Sequence, residues 1–331
     1  LSADEAKRAH PVRLRGVVTY YERDWELLFV QDATAGIFVW PRGERFSIKA
    51  GDMVEVEGAS GPGQYAPIVD RPRVRVLGSG TMPASRLVTL EHLVTGREDS
   101  QWVGMQGTIR SGTNTWEHLI LDVVTRGGRL KVHVPDYGTN APPDHLIGAQ
   151  VRIHGVCGTL FNQPRQLTGV QLFVPSLEYI VVEQPASNDP FAAPTVSVKD
   201  LMKFSPDEAL SQQIKIQGVV TLRRSAQEVF LQDATGGLSV QTQESVAVEP
   251  GDAIEAVGYA TPGGYTPTVQ EARVRRVGKR EPLSPDRITA AQALSGAADC
   301  KFVQIGGVLL QVISGSPETT LLTWNDAGLI A

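Results

Sequence analysis

The side chains best suited to holding a ligand are aromatic and basic, and they gather near the start of the chain. The candidate ligand-binding residues are Tyr20, Tyr21, Trp25, Phe38, Trp40 and Arg73. Proteins hold single-stranded nucleic acid by stacking its bases on such rings inside a positive groove. Against that chemistry, acidic and basic residues number nine each between Val12 and Gly80. Packing within a barrel or between domains uses the same rings, and the sequence favours that role.

No catalytic or metal-binding pattern accompanies these rings. The six histidines lack the two-residue or four-residue spacing that metal ligation favours. No nucleophile elbow, phosphate loop or kinase signature appears. Glu55 and Glu57 lie on one face of a strand, where we expect a solvated edge. We therefore expect no enzyme activity, no catalytic residues, no cofactor and no metal.

One stretch of sequence occurs twice, as Phe29–Val39 and as Phe230–Val240. Each copy is an apolar run, a tight polar turn containing Gly and a second alternating run, which predicts a β-hairpin. Asp32 and Asp233 precede Ala-Thr, where an Asp side chain accepts hydrogen bonds from the N–H groups of its own turn. The sequence favours this turn role for the motif, and ligand contact is the alternative.

The hairpin belongs to a longer repeat with the order A, B, A′, B′. Residues 16–19 recur as 218–221, and Gly51-Asp52 recurs as Gly251-Asp252. The predicted domains are 1–95 (A with its lead-in and connecting helix), 96–184 (B), 185–296 (linker, lead-in helix and A′) and 297–331 (the start of B′). The rings of A are not repeated in A′, which has Leu222, Arg223, Ser239 and Gln241 in place of Tyr20, Tyr21, Phe38 and Trp40.

Each unit predicts five short strands, of which the first is bent. Gly16 lies inside the first strand, Val12–Tyr21, and a Gly within a strand often marks a bulge or a corner. This pattern describes the OB fold, a small, partly open Greek-key barrel. We expect an all-β chain of tandem OB-fold barrels with short connecting helices. The helices are predicted at 86–93 and 288–294, ending at Gly96 and Gly296.

Composition sets further bounds on function. The net charge is −5 and no block of five like charges occurs, which disfavours nucleic acid as a partner. Cys157 and Cys300 are expected to be free, mostly buried thiols. No apolar run approaches the roughly 18 residues of a membrane helix, and no cleavable signal is visible. Leu1 starts partway into an element whose full version is predicted at 196–211, so we expect a piece of a longer protein.

The motif at 29–36, followed by Gly-Asp-x-(Val/Ile)-Glu at 51–55, resembles the OB-fold repeats of two bacterial groups. One group is the extracytoplasmic region of membrane-bound sensor histidine kinases, which the lead-in Leu1-Ser2-Ala3-Asp4-Glu5-Ala6 also resembles. The other is the OB repeats of extracellular nucleases. More loosely, the hairpin is similar to the anticodon-binding domain of aminoacyl-tRNA synthetases. The sensor-kinase resemblance implies a periplasmic region of a membrane-anchored protein, with no active-site residue in these 331 positions.

Two functions follow as hypotheses. The first is a non-enzymatic sensor, ligand-binding or scaffold region of a signal-transduction protein. Its partners would be the remainder of its own polypeptide and a small molecule, glycan or protein, with self-association into a homodimer left open. The alternative is a module that binds single-stranded nucleic acid, for example in an extracellular nuclease. Binding to single-stranded DNA that weakens steeply with salt would favour the alternative, because released counterions set that slope.

Overall fold

The structure is a computed structural model. It describes residues 1–64, 66–138, 143–162, 166–201, 213–242, 245–279, 283–314, 319–325 and 328–330. The chain divides into two compact units, Leu1–Ser187 and Asn188–Ala331. Within the described residues, no helix has both the length and the apolar character needed to cross a bilayer.

Barrel A follows a short helix, α1 (Ala3–Ala6). Its strands are β1 (Pro11–Glu22), β2 (Leu27–Gln31), β3 (Gly36–Phe38), β4 (Asp52–Gly61) and β5 (Ile68–Ser79). They form a sheet in the order β3-β2-β1-β4-β5, and a parallel bridge between Val39 and Val69 joins the chain after β3 to β5. The interior is filled by small branched side chains such as Val18, Val30, Val54 and Val56.

β1 serves both halves of the barrel, and this explains its internal glycine. β1 pairs with β4 over residues 11–17 and with β2 over residues 17–22. A Cβ on Gly16 would lie 2.7 Å from the Gln31 carbonyl oxygen, so only Gly permits this crossing. The register shift itself falls between Val18 and Tyr20, slightly beyond the predicted position.

Barrel B is preceded by β6 (Arg86–Leu87) and α2 (Leu90–Leu93). Its strands are β7 (Trp102–Thr115), β8 (His118–Thr125), β9 (Gly128–Val134), β10 (Gln150–Phe161) and β11 (Leu167–Phe173), with β12 (Ile180–Gln184) added beside β10. β9 and β11 pair in parallel, and β10 pairs with both β7 and β11. The barrel therefore has the same connectivity as A.

The second unit begins with a short 3-10 helix at Pro190–Ala192, followed by α3 (Val198–Leu201). Barrel A′ is closed and consists of β13 (Ile214–Arg223), β14 (Glu228–Gln232), β15 (Gly237–Gln241), β16 (Asp252–Thr261) and β17 (Thr268–Lys279). β15 and β17 are parallel, whereas β13 and β16 are antiparallel. Of the element predicted at 196–211, residues 202–211 lie outside the described residues.

The chain after A′ continues with β18 (Asp286–Arg287), α4 (Ala290–Leu294), β19 (Val303–Gln304), β20 (Val308–Ser314), β21 (Thr319–Asn325) and β22 (Gly328–Ile330). β20, β21 and β22 form an antiparallel sheet of three strands. With three antiparallel strands followed by a parallel closing pair in A, B and A′, the chain is all-β and consists of tandem OB-fold barrels. The predicted fold class is confirmed.

The connecting helices are shorter than predicted. Arg86-Leu87 pairs in parallel with Val103-Gly104, so the first part of the predicted helix 86–93 is a strand. The helix begins only after Thr89, whose side chain accepts a hydrogen bond from His92 N–H. In the second copy Thr289 and Gln292 form a capping box ahead of α4. Gly96 and Gly296 have φ near +75° and end the helices as predicted.

Candidate functional site

The Asp of each repeated hairpin caps its own turn. Asp32 Oδ1 accepts hydrogen bonds from the backbone N–H groups of Thr34 at 2.7 Å and Ala35 at 3.0 Å. The Thr34 hydroxyl also donates to this oxygen, and it is the main cause of the lowered pKa of Asp32. Asp233 makes equivalent bonds to Thr235 and Gly236. The predicted turn role is confirmed in both copies.

The Gln and Gly of the same hairpin join barrel A to barrel B. Gln31 Oε1 accepts a hydrogen bond from Trp102 N–H at 2.7 Å, and the Gly36 backbone pairs with the Gln101 amide. A Cβ on Gly36 would lie 2.0 Å from the Ser100 carbonyl oxygen, so this contact requires Gly. The sequence predicted only a turn here. The missed signal was that both copies keep Gln and Gly at these positions.

An aromatic cluster fills the interface between barrels A and B. The Tyr20 and Phe29 rings of A lie 5.3 and 5.8 Å from the Phe173 ring of B. Trp102 of B is buried in the same cluster and meets Tyr179 edge-on at 5.2 Å. Aromatic pairs at these distances add to the stability that buried area supplies. This cluster fixes the two barrels against each other.

The structure places the six predicted ligand-binding residues in different surroundings. Tyr20, Trp25 and Phe38 belong to the interface cluster, and Tyr20 is fully buried. Trp40 donates from Nε1 to Glu26 and carries the Arg42 guanidinium over its ring.

The remaining two lie apart from that cluster. Arg73 lies opposite Glu57 in the register of β5 with β4. Tyr21 accepts a hydrogen bond from Phe46 N–H and lines a cleft between the barrels. The six are therefore not brought to one surface, and their shared role in ligand binding stays a prediction.

The cleft lined by Tyr21 has a volume of about 540 Å³ and lies between barrels A and B. Its charged lining is mainly acidic, with four carboxylates and two cationic side chains: Glu22, Asp24, Asp136 and Glu178 against Arg23 and Lys49. The rings of Tyr21, Phe46 and Tyr179 complete the wall. Both barrels therefore contribute charged and aromatic groups to one concave surface at a domain interface, a place where ligand sites often occur.

Glu22 forms the buried floor of this cleft. Its carboxylate accepts backbone hydrogen bonds from Asp24 and Trp25. His118 Nδ1 donates to the Trp116 carbonyl oxygen, and His118 Nε2 lies 3.7 Å from Glu22 Oε1. Among the described residues, His118 Nε2 and the Tyr20 hydroxyl have no hydrogen-bond partner. Buried polar atoms are usually paired, so this floor is polar but incompletely satisfied.

A second buried histidine lies behind the floor. Trp25 stacks on His118 with ring centroids 4.0 Å apart and meets His133 edge-on at 5.4 Å. Burial lowers the pKa of His133 to about 4. Burial, with a smaller contribution from Glu22, raises the pKa of Tyr20. Both groups are therefore neutral near pH 7, and the interface favours uncharged side chains.

The expectation of a solvated edge at Glu55 was wrong. Only 4% of its side chain is exposed, because Arg15, Arg75 and Arg13 donate to it at 2.8, 2.6 and 3.1 Å. The hydrogen bond from Arg15, followed by those from Arg75 and Arg13, lowers the pKa of Glu55 to about 2. Glu57 on the same strand is half exposed. Arginine at alternate positions on β1 and β5 was the signal that could have predicted this cluster.

Barrel A′ has a related cluster around Glu255. Arg275 donates to Glu255 at 2.6 Å and Gln217 donates at 2.7 Å. These residues occupy the register positions of Arg75 and Arg15, because Glu255 pairs with both as Glu55 does in A. Lys215 stands at the position of Arg13. In both barrels, basic side chains of the first and fifth strands therefore surround a glutamate of the fourth strand on the outer face.

The Cys157 thiol lies in the core of barrel B. Burial raises the pKa of Cys157 to about 12, and Cys300, which is only partly buried, accepts a hydrogen bond from the Thr266 hydroxyl. Neither is in a disulfide. Within the part of the chain that the structure describes, no group of His, Cys, Asp and Glu has the arrangement of a metal site.

No protein-family model matches the chain, and no curated protein matches it. Several solved structures resemble parts of it. The hypothetical protein ygiW from E. coli is 18% identical over 26% of this chain and 96% of its own, with a TM-score of 0.22.

Two further structures align with about half of the chain. A murine DNA-binding protein bound to double-stranded DNA is 12% identical over 53% of this chain and 100% of its own, with a TM-score of 0.27. The aspartyl tRNA synthetase of Entamoeba histolytica is 8% identical over 55% of this chain and 52% of its own, with a TM-score of 0.26. The assignment to the OB fold rests on the strand order and register of the barrels themselves.

Proposed function

We propose that the chain is a non-enzymatic sensor and scaffold region of a membrane-anchored signal-transduction protein of the histidine kinase type. In this proposal barrels A and B bind a small ligand in the cleft between them. The observation that carries the proposal is the composite cleft, to which A contributes Tyr21 and Glu22 while B contributes Asp136 and Glu178. The extracytoplasmic location rests on the sequence resemblance described above.

The lining of the cleft defines the chemistry of its ligand. Four carboxylates face two cationic side chains, so the cleft carries an excess of negative charge. Aromatic faces attract organic cations, and this attraction adds to that of the carboxylates. A small organic cation fits this surface better than a phosphate or a dicarboxylate does.

The position of the cleft also suits a sensor. A ligand that touches both barrels stabilises the arrangement that it binds best and so shifts the equilibrium between arrangements. Glu22, which lines the cleft, lies 3.7 Å from His118 of B, so a ligand bound there would act on groups of both barrels. The signal would thus be a change in the arrangement of barrels A and B, with no chemical change to the ligand.

Thermal unfolding of the full chain with a panel of compounds tests the ligand proposal. Diamines and guanidines should raise the melting temperature, because a ligand that binds only the folded state stabilises it. Neutral sugars, dicarboxylates and nucleotides should not. Asp136→Asn and Glu178→Gln should lose the shift, whereas Glu117→Gln, an exposed acid of B outside the cleft, should keep it. A shift that survives in the cleft variants would contradict the proposal.

The signalling proposal is tested on the whole gene product. A membrane helix and a kinase module should accompany the region, and alkaline phosphatase fused to it should be active because the fusion is exported. A nuclease module in their place would overturn the assignment. Sedimentation velocity of the chain tests whether it forms the homodimer that the scaffold role includes.

Binding of single-stranded nucleic acid is the second candidate, and the exposed arginines beside Glu55 favour it. Arg13, Arg15 and Arg75 each leave more than half of the side chain in solvent. Three of the five rings of A that would stack on bases, however, are used in the contact with B: Tyr20, Trp25 and Phe38. Fluorescence anisotropy with labelled oligo-dT at rising salt distinguishes the two functions. Affinity that falls steeply with salt supports this candidate, and no binding at low salt eliminates it.

A further inference from the structure

The floor of the cleft brings two hydrogen-bond acceptors face to face. His118 Nδ1 lies 2.7 Å from the Trp116 carbonyl oxygen, and a carbonyl oxygen can only accept, so the ring proton is on Nδ1. Neutral His118 therefore has a lone pair on Nε2, and this atom lies 3.7 Å from Glu22 Oε1. Two acceptors at this distance repel each other unless a donor binds to both of them.

Both acceptors are buried. The side chains of Glu22 and His118 are only 5% and 6% exposed. In the described part of the chain, His118 Nε2 has no hydrogen-bond partner. A buried acceptor that is left without a donor costs more free energy than an ordinary hydrogen bond contributes. The pair therefore favours an occupant that supplies hydrogen-bond donors to both side chains.

The charge of Glu22 is not balanced by a lysine or an arginine among the described residues. Its two carboxylate oxygens accept from the backbone N–H groups of Asp24 and Trp25. Arg23, the next residue in the chain, directs its guanidinium to Asp24 instead, at 3.5 Å. A buried carboxylate is stable when it is both hydrogen-bonded and paired with a positive charge. The donor that suits this floor is therefore a cation.

Tyr20 adds a third polar atom on the same side. Residues 20 and 22 are alternate positions of β1 in regular register with β2, so their side chains share one face of the strand. Tyr20 is fully buried, and within the described ranges its hydroxyl has no partner. Burial raises the pKa of Tyr20, with smaller contributions from Glu22 and Asp136. The hydroxyl therefore stays neutral near pH 7, and its oxygen can accept a hydrogen bond.

We propose that Tyr20, Glu22 and His118 form a subsite for a primary ammonium group of the ligand, which we call the ammonium subsite. A primary ammonium has three donors and no acceptor, and it meets here a carboxylate, an imidazole nitrogen and a hydroxyl. A guanidinium is a planar fork with fixed donor directions, and a quaternary ammonium has no N–H group. This inference rests on the proposed cation-binding function of the cleft and narrows its ligand to primary amines.

The ammonium subsite opens into the cleft at Glu22, which belongs to the lining of the cleft. The carbon chain of a bound amine then lies beside the rings of Tyr21 and Tyr179, which line the same cleft. Asp136 and Glu178 remain on the wall for a second cationic group. A linear diamine has one ammonium for the floor, an apolar chain for the rings and one ammonium for the wall.

Isothermal titration of the full chain with compounds of one chain length tests the subsite. The compounds are 1,4-diaminobutane, its bis(trimethylammonium) analogue and 1,4-diguanidinobutane. The diamine should bind roughly tenfold or more tightly than the other two, because they leave buried acceptors unpaired.

Variants of the chain separate the subsite from the rest of the cleft. Tyr20→Phe, which keeps the ring, and His118→Phe, which keeps a ring against Trp25, should weaken binding of the diamine by roughly fivefold. Neither should change binding of the bis(trimethylammonium) compound. Tyr265→Phe, at an exposed tyrosine of A′, is the matched control and should bind the diamine as the unaltered chain does. Circular dichroism checks the folding of each variant.

Other results would overturn the subsite. Equal affinity for the three compounds, abolished by Asp136→Asn, would keep the cleft as a cation site and reject the subsite alone. Absence of binding by all three would reject both. Nitrogen-15 NMR of the free chain gives a readout without a ligand, and His118 should carry its proton on Nδ1 alone. Protons on both ring nitrogens near pH 7 would mean that His118 itself supplies the donor to Glu22, which would reject the subsite and leave the cleft proposal standing.

Discussion

Barrels A and A′ share one topology and one hairpin, but they use their surfaces differently. In both, Gln and Gly of the hairpin hold the backbone of the next domain, as Gln31 does with Trp102 and Gln232 with Phe302. Their side-chain faces differ, since A presents Tyr20 to the aromatic interface with B where A′ has Leu222. On the basic face of A′ the Phe191 ring lies 4.2 Å from the Arg275 guanidinium.

This comparison separates two kinds of residue in the repeat. Residues that bond to backbone, such as Asp32 and Gly36, are the same in both barrels because backbone geometry is the same. Residues that meet side chains, such as Tyr20, vary with what each barrel packs against. The repeated motif therefore joins each barrel to the next domain. Any function specific to one barrel depends on the side-chain positions that differ between A and A′.

The largest expected difference between the two units is their response to acid. All six histidines precede residue 188, and His133 is held neutral with a pKa of about 4 by burial among Trp25, His118 and Phe173, near Lys131. As the pH falls, His133 takes up a proton in the unfolded chain near the ordinary pKa of 6.5, before it does so in the folded chain. Stability is thus complete above that pH and lost progressively as the pH falls through 4, by about 3 kcal/mol in total.

Urea unfolding at pH 7 and pH 4.5 measures this loss. Four of the five tryptophans lie in the first unit, so tryptophan fluorescence mainly reports its unfolding. His133→Gln should reduce the pH dependence, while His145→Gln, an exposed histidine, should leave it unchanged. An unaltered slope in the His133 variant would show that the interface is not the source of the acid sensitivity.

The next largest effect is expected at the hairpin glycine. Gly36→Ala places a Cβ 2.0 Å from the Ser100 carbonyl oxygen, and Gly237→Ala does the same at Cys300. Overpacking of this kind costs about 2 kcal/mol, and Gly36→Ala should cost more because it also separates Phe29 from Phe173. Thermal unfolding measures both. Gly264→Ala is the control, since nothing lies within 4 Å of its Cβ position.

Equal melting temperatures for Gly36→Ala and the unaltered chain would mean that Gly36 does not pack closely against the Ser100 carbonyl oxygen. Equal losses at Gly36 and Gly237 would instead show that the aromatic cluster of A adds nothing to the junction. The two variants thus separate the shared part of the junction from the part that is particular to A.

The sequence was sufficient for the barrels because local signals agreed with the final structure. The hairpin turn at Asp32, the crossing at Gly16 and the helix end at Gly96 are each short-range features. It was insufficient for Glu55, because three arginines that cover it lie on two other strands and only the register aligns them. The cleft was missed for a related reason, since Asp136 and Tyr21 meet only when B packs on A.

A smaller difference is expected at the hairpin aspartates. Asp233 binds the N–H groups of Thr235 and Gly236 and also that of Val198, whereas Asp32 binds only its own turn among the described residues. Loss of a side chain that caps a helix start costs about 1 kcal/mol. Asp233→Ala should therefore destabilise its unit by about that amount more than Asp32→Ala destabilises the first unit. Hydrogen exchange across each barrel measures the two losses separately, and equal losses would argue against the anchoring of α3 by Asp233.

The smallest effect is expected at Tyr20, where the two barrels differ most in chemistry. Its ring packs on Phe173 and Phe29, and its hydroxyl has no partner among the described residues. An unpaired buried hydroxyl contributes no stability, so Tyr20→Phe should change the free energy of unfolding by less than about 0.5 kcal/mol or raise it slightly. Tyr20→Leu, which introduces the residue of A′, should cost more because it removes ring contacts with Phe173. A large loss in the Phe variant, measured by urea unfolding, would mean that the hydroxyl is bound in solution to the floor around Glu22.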